Sequence, residues 1–204
     1  MVRMVALAAA TLVVGGVLIA ATPAQDKAAG GKYMGAQKCK SCHEAKARGA
    51  QYVKWTTTKH AKAWEALASD EAKKIVKERG LGDDPQKIDA CVKCHQTAFG
   101  VKDEDCDKAF DRKGGIQCES CHGPGEKHAK ARLADDDEDE AAIHEKAKKE
   151  MPLPVKADLC KKCHNAESPS IEKSTYWNKE KKEFDFEKAF KEQIEHPNPK
   201  WQKK

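Results

Sequence analysis

The sequence is poor in aromatic side chains, which make up only 6% of its 204 residues. Hydrophobic residues reach 39% and charged residues 35%, with a mean hydropathy of −0.80, so little apolar material is left for a large core made of protein alone. Only one long apolar run is present, which excludes a protein with several membrane spans of about 20 apolar residues each. Basic and acidic residues are interleaved and give a formal charge of +5, so charge does not indicate nucleic-acid binding.

The one long apolar run lies at the start of the chain. Arg3 precedes it, residues 5–21 contain no polar residue other than Thr11, and small residues stand at positions 22 and 24. This order predicts a signal peptide over residues 1–24, cleavage before Gln25, and an exported, periplasmic protein without a stable membrane span. A retained single-span anchor is the alternative, although about 17 residues is at the short limit for spanning.

Eight of the nine cysteines fall into four copies of the pattern C-x-x-C-H. The copies are Cys39-Lys-Ser-Cys42-His43, Cys91-Val-Lys-Cys94-His95, Cys118-Glu-Ser-Cys121-His122 and Cys160-Lys-Lys-Cys163-His164. The pattern is typical of c-type haem attachment, because two thiols add to the two vinyl groups on one haem edge and the next residue lies below the ring. We therefore predict four covalent haems, with each motif histidine as proximal iron ligand. Residues 39–204 would form the tetrahaem domain, after a flexible lead over residues 25–38.

Two other uses of C-x-x-C pairs compete with haem. Two pairs can hold one zinc ion in a ribbon, and each pair can form a redox disulfide in an oxidising compartment. Neither explains a histidine after every second cysteine in a chain with eight histidines. Haem also accounts for the composition, since four porphyrins would supply the apolar core that the chain lacks.

Four further histidines are candidates for the opposite face of each iron, and they are His60, His128, His144 and His196. On a helix His60 would share a face with Trp64, so that both meet one porphyrin. His128 follows a Gly-Pro-Gly turn that can aim it towards a neighbouring haem, and His196 ends the last predicted helix. For His144, in an acidic segment, a solvated histidine is the alternative.

The remaining pattern predicts a mainly α fold with long loops around the haems and little or no strand. Residues 70–79 predict a helix that ends at Gly80, and residues 96–117 predict a loop. Phe186, Phe190 and Ile194 recur at fourfold spacing, which predicts an amphipathic helix over residues 185–195.

Two features have no role in this scheme. Cys106 stands among carboxylates that disfavour its thiolate, so it is predicted to be unreactive; a buried bystander and an intermolecular disulfide both stay open. The acidic run over residues 135–140 is either a solvated face or a docking patch for a basic redox partner.

The chain is similar to the tetrahaem cytochrome c-554 family over residues 33–200. The similarity is carried by Lys59-His60-Ala61-Lys62-Ala63-Trp64, by residues 91–100, by Cys118-Glu-Ser-Cys-His-Gly-Pro-Gly125, by Cys163-His164-Asn165 and by Ile194-Glu195-His196-Pro197. The resemblance implies stacked haem pairs in a mainly helical fold. It also implies a periplasmic carrier that takes electrons from a multihaem dehydrogenase such as hydroxylamine oxidoreductase.

The resemblance further implies three irons with two histidines each and one iron with an open position. Carried over, the open iron belongs to His95, which leaves His60, His128 and His196 as distal ligands. Cys106 and the acidic run have no counterpart in the family pattern.

Three functions are therefore distinguished. The first is an electron carrier, in which irons with two imidazoles have no vacant site. The second is a small haem reductase acting on NO, nitrite or hydroxylamine at a five-coordinate haem on His95. The third is a non-haem metal or structural module.

Overall fold

The computed structural model describes residues 31–133, 139–151 and 155–195. Within these ranges the α-helices are α1 (Ala36–His43), α2 (Gln51–Thr56), α3 (Ala63–Ala66), α4 (Asp70–Glu78), α5 (Asp89–His95), α6 (Cys118–His122), α7 (Glu126–Leu133), α8 (Glu140–Lys149), α9 (Ala157–Lys161) and α10 (Phe186–Ala189). Short 3₁₀ turns lie at Lys46–Arg48, Pro85–Lys87, Asp103–Asp105 and Ile171–Lys173. The prediction of a mainly α fold is confirmed.

Several predictions fall on other parts of the chain. The signal peptide, His196 and residues 135–138 of the acidic run lie outside the described residues. Among the helices that are described, none is long and apolar enough to cross a membrane.

One small sheet is present, in agreement with the prediction of little or no strand. Strands β1 (Trp177–Asn178) and β2 (Glu183–Phe184) pair antiparallel, with Trp177 opposite Phe184. Each strand has only two residues, so no alternation of apolar and polar positions can develop in the sequence. The hairpin sets Phe184 against the ring of His164, at 4.4 Å between ring centroids.

Helix α4 forms for local reasons. The Ser69 side chain accepts the N–H of Ala72 at 3.2 Å and caps the helix start, where Asp70 also lies. Gly80 follows the helix end with a φ of 64°, in the left-handed region. The helix predicted over residues 70–79 therefore agrees with the structure to within one residue.

The last helix differs from its prediction. Only Phe186–Ala189 is α-helical, and Phe190–Ile194 forms a π turn that closes with the Glu195 N–H donating to Phe190 O at 2.7 Å. The Tyr176 hydroxyl, next to β1, donates to Glu192 at 3.0 Å and ties this wider turn to the sheet. Tertiary packing has overridden the fourfold apolar spacing here.

Apolar packing between protein side chains is limited. A cluster of Leu67, Val76, Cys91 and Val92 is buried, and Trp64 packs against it. This cluster lies beside the second C-x-x-C-H motif, whose first cysteine is a member. The small cluster agrees with the composition, which leaves most of the core to be supplied by other groups.

The loop over residues 96–117 is held by polar contacts. Arg112 donates to Ala98 O at 3.1 Å, to Val101 O at 2.8 Å and to the Asp103 carboxylate. The same loop binds the start of the described chain, because the Tyr33 N–H donates to Asp105 O at 2.9 Å. The prediction of an irregular segment holds apart from one 3₁₀ turn.

Candidate functional site

All four C-x-x-C-H motifs lie on or beside short helices. The first and second motifs end α1 and α5, the third is α6 itself, and Cys160 lies on α9 with Cys163 and His164 in the turn after it. In a helix, residues separated by three and four positions share a face. Helical geometry therefore turns both thiols and the following imidazole of a motif towards one side.

The four motifs lie close to each other at their thiols. Cys39 and Cys118 shift each other's pKa, and so do Cys94 and Cys163, so the first motif lies beside the third and the second beside the fourth. The neighbouring Cys118 thiol and burial together hold the pKa of Cys39 above its usual range. All nine thiols are unbridged.

Cys121 connects these two pairs of motifs. Burial raises the pKa of the Cys121 thiol to about 11, and nearby Cys160 adds to the shift. The motifs thus follow one another in space in the order first, third, fourth and second. Within the described residues, no group of three or more histidine, cysteine or acidic side chains is arranged to hold a bare metal ion.

Three histidines use Nδ1 for a hydrogen bond within the protein. His43 Nδ1 lies 3.2 Å from the Gln51 side-chain oxygen, His95 Nδ1 lies 2.6 Å from Ala63 O, and His128 Nδ1 lies 2.8 Å from Ala147 O. A carbonyl oxygen can only accept, so these contacts assign the proton to Nδ1. Nε2 then keeps its lone pair for a metal, which is the usual arrangement of an iron-binding histidine and its outer partner.

Two pairs of imidazoles face each other at a distance that fits an iron. The ring centroids of His43 and His128 are 6.0 Å apart, and those of His60 and His164 are also 6.0 Å apart. An iron with a nitrogen about 2 Å away on each side, and about 1.1 Å from each nitrogen to its ring centre, requires about 6 Å. The centroid spacing of each pair therefore matches that of two imidazoles bound to one haem iron.

His60 lies in a turn between α2 and α3, so the expectation that it shares a helical face with Trp64 is wrong. Its backbone O accepts the Ile116 N–H at 2.9 Å, and this contact holds the turn against the loop before α6. Burial lowers the pKa of His60 to about 4, with further contributions from His164 and His95. The neutral imidazole that a metal ligand must present is thus the favoured form.

The other predicted ligands are placed differently. Among the residues that the structure describes, His95 has no partner imidazole at 6 Å spacing. His144 is half-buried on α8, near His128 and Arg132, and burial lowers its pKa. His122 ends α6, and the candidate distal ligand His196 lies outside the described ranges.

Glu119 is a site residue that sequence reasoning missed. It lies inside the third motif, is only 2% exposed, and accepts the N–H groups of Met34, Gly35 and Gly125, each at 2.7 Å. Two of these donors precede α1, so Glu119 joins the first and third motifs. Burial raises the pKa of Glu119, and the three N–H donors oppose that shift. Its position within the motif was visible in the sequence, but its partners were not.

Cys106 is buried, with 8% of its surface exposed, as the alternative of a buried bystander requires. Burial raises the pKa of its thiol, and the Arg112 guanidinium opposes the shift. The backbone at Cys106 forms an isolated bridge with Tyr33. These contacts give it a place in the packing of the loop.

Comparison with known proteins agrees with this geometry. Residues 38–123, which contain the first three motifs, match the family described as cytochrome c554 and c-prime. The chain is similar to this family over these 86 residues, which are less than half of its length. The chain is thus a c-type cytochrome, whose cofactor is covalently bound haem c with its iron. Cytochrome c-554 of Nitrosomonas europaea is 39% identical to this cytochrome over 112 residues, which are 53% of the present chain.

The match spans 45% of the length of that relative, so it covers less than half of the curated protein. No solved structure matches the chain.

Proposed function

We propose that this cytochrome carries electrons between redox proteins through four covalently attached haems. The observation that carries the proposal is the 6.0 Å spacing of the His43–His128 and His60–His164 ring pairs. An iron with an imidazole on both faces has no position left for a substrate, so it can exchange electrons but does not bind a small molecule.

The proposed attachment follows the four motifs. The eight motif cysteines would hold the haems, and His43, His95, His122 and His164 would be the proximal ligands of the irons. On the distal side, the ring spacings support His128 for the first motif and His60 for the fourth. The family resemblance supports His196 as a further distal ligand without assigning its iron, and His144 stays the alternative distal ligand.

The haems supply the redox chemistry, a one-electron change at each iron. The protein orients the imidazoles: the acceptors at Nδ1 of His43, His95 and His128 fix ring rotation and make Nε2 more basic. The proximity of Cys39 to Cys118 and of Cys94 to Cys163 would bring the attachment points of neighbouring haems together, as electron transfer between cofactors requires.

The cellular setting is also proposed. The apolar run before Gln25 supports export to the periplasm, where haem c attachment to exported chains is expected. The family resemblance supports a multihaem dehydrogenase as electron donor, with hydroxylamine oxidoreductase as the named example.

Haem counting and spin state test the proposal together. The purified ferric protein should contain four covalent haems per chain, measured as haem retained after denaturation. Electron paramagnetic resonance should show mainly low-spin iron. His60→Ala and His128→Ala should each convert one low-spin haem to high-spin, because each removes one distal nitrogen.

His144→Ala tests the alternative ligand, since this histidine is also half-buried and lies near His128. A low-spin haem that this variant converts to high-spin would assign His144 to the distal side, and an unchanged signal would exclude it. An unchanged low-spin signal in both the His60 and His128 variants would contradict the assignment. Steady turnover of nitrite, NO or hydroxylamine would favour the reductase instead, with His95 as the histidine of the open haem.

A further inference from the structure

The charges of this cytochrome are unevenly placed along the chain. Residues 38–62 carry seven basic side chains and one acidic one, Glu44, whereas residues 63–204 carry 28 basic and 31 acidic residues. The seven are Lys38, Lys40, Lys46, Arg48, Lys54, Lys59 and Lys62, and we call them the basic surface. The overall charge of +5 conceals this concentration.

The structure keeps the basic surface together. Five of its seven residues lie on α1, on the 3₁₀ turn Lys46–Arg48 and on α2, and α1 and α2 pack on each other. Lys59 and Lys62 follow in the turn after α2. The Gln37 side chain donates to the Tyr52 hydroxyl at 3.1 Å, and Lys40 Nζ lies 5.7 Å from the centre of the Tyr52 ring. The cations are therefore carried on one folded unit.

These charges are largely uncompensated. Lys40 and Glu44 form an ion pair at 3.5 Å, with side chains 42% and 54% exposed, so solvent weakens it. The other six cations have no carboxylate partner in the part of the chain that the structure describes. Lys38, Lys46, Lys59 and Lys62 are exposed, and the remaining three are half-buried.

The first C-x-x-C-H motif lies within the basic surface, because Lys38 and Lys40 flank Cys39. Between its two cysteines Ser41 is exposed, and Cys42 is half-buried. The imidazole of His43 is tied to Gln51 of α2 at 3.2 Å. A partner that covers the cations would thus approach the attachment edge of the first motif.

We propose that the basic surface docks the acidic face of another redox protein, and that electrons enter this cytochrome at the first motif. The inference rests on the proposed carrier function and adds the docking site and the charge of the partner. One electron leaves the reduced partner, which is oxidised, and reduces one ferric iron; no bond forms or breaks. Opposite charges steer such encounters and accelerate them at low salt.

A comparison of two charge-matched triple variants tests the proposal. The patch variant is Lys46→Gln, Arg48→Gln and Lys54→Gln. The control variant is Lys179→Gln, Lys182→Gln and Lys188→Gln, three exposed lysines outside the basic surface. The probe is a reduced plant-type ferredoxin with an acidic surface, and stopped-flow absorbance measures the second-order rate constant of haem reduction.

At low ionic strength the patch variant should react on the order of tenfold more slowly than the unmodified protein, with a weaker dependence on salt. The control variant should stay within about twofold. The ferric patch variant should also be retained less on immobilised ferredoxin than the control variant and the unmodified protein. This binding readout is independent of electron transfer. Equal rates in patch and control variants would overturn the proposal.

Two further measurements separate this inference from the carrier function. Reduction by a small uncharged reductant should be the same in all three proteins; if it fails in the unmodified protein, the carrier function itself is wrong. Sedimentation with vesicles rich in an anionic phospholipid tests a membrane as the occupant. Vesicle binding that the patch variant loses, with unchanged ferredoxin rates, would replace the protein partner by a lipid surface.

Discussion

Removal of the Glu119 side chain should be among the most destabilising single changes in this cytochrome. Its two carboxylate oxygens accept three backbone N–H groups, from Met34, Gly35 and Gly125, at 2.7 Å each. Gly35 and Gly125 are buried, so their N–H groups cannot turn to water. The half-buried N–H of Met34 is closer to solvent.

The magnitude follows from these contacts. A hydrogen bond to a charged group contributes about 1.5–3 kcal/mol, and a buried unsatisfied N–H costs about 1–3 kcal/mol. Burial of the carboxylate offsets part of the gain, as the raised pKa of Glu119 shows. We expect Glu119→Ala to lower the free energy of unfolding by about 3–4 kcal/mol. Glu119→Gln keeps one acceptor oxygen and should cost about 1–2 kcal/mol.

Urea unfolding of the haem-loaded protein, followed by far-ultraviolet circular dichroism, measures this loss. With a slope near 2 kcal/mol per molar urea, Glu119→Ala should move the midpoint by about 1.5–2 M. Glu104→Ala is the control, because that carboxylate is exposed and contacts only the exposed Lys102, so it should change stability by less than about 0.5 kcal/mol. A Glu119→Ala protein as stable as this control would refute the reasoning.

Three further changes test other parts of the site. Gly115→Ala places a Cβ 2.6 Å from the His60 backbone oxygen at a φ of +72°. It should therefore lower the free energy of unfolding by about 2 kcal/mol or more and disturb one low-spin haem. Gly100→Ala is the control, because Gly100 has a φ of +75° but nothing within 4 Å of its added Cβ, and this variant should keep all low-spin signals. Thr97→Val removes a hydroxyl that is 1% exposed and has hydrogen-bond partners in the loop and in α6, and should cost about 2 kcal/mol in urea unfolding; a loss below about 0.5 kcal/mol would contradict its role. A hydrogen bond from the lysine four residues later lowers the pKa of Glu126 below 4.5, so Glu126 stabilises the fold above that pH and loses this contribution as pH falls through its lowered folded value. Glu126→Gln should therefore show a smaller drop in urea midpoint between pH 7 and acid pH, and an equal drop would contradict the assignment.

The C-x-x-C-H motifs and the well-capped helix could be predicted because their determinants are local. Two thiols and an imidazole within five residues predict a haem attachment site from the local sequence alone. Ser69 and Gly80 likewise set the ends of α4 through contacts a few residues away. The mainly helical class followed from the same short-range patterns.

The structural setting of His60 could not be predicted, because its determinants are distant. The Ile116 N–H binds the His60 oxygen, and the Trp55 indole N–H binds Ile116 O at 2.8 Å across 61 positions. These contacts replace the expected helix by a turn. The π turn at Phe190–Ile194 could not be predicted for a similar reason. The hydrogen bond from the Tyr176 hydroxyl to Glu192 in this turn comes from a separate segment of the chain.

The sequence by itself determined the prediction for the chemistry of attachment: which cysteines are expected to bind a haem and which histidine follows them. Only the tertiary structure decided which imidazoles face each other, which motifs touch, and that Glu119 holds Met34 from 85 positions away. The physical reason is that covalent attachment needs neighbours along the chain. Pairing of rings and satisfaction of buried N–H groups depend instead on distances in space, which the order of residues does not contain.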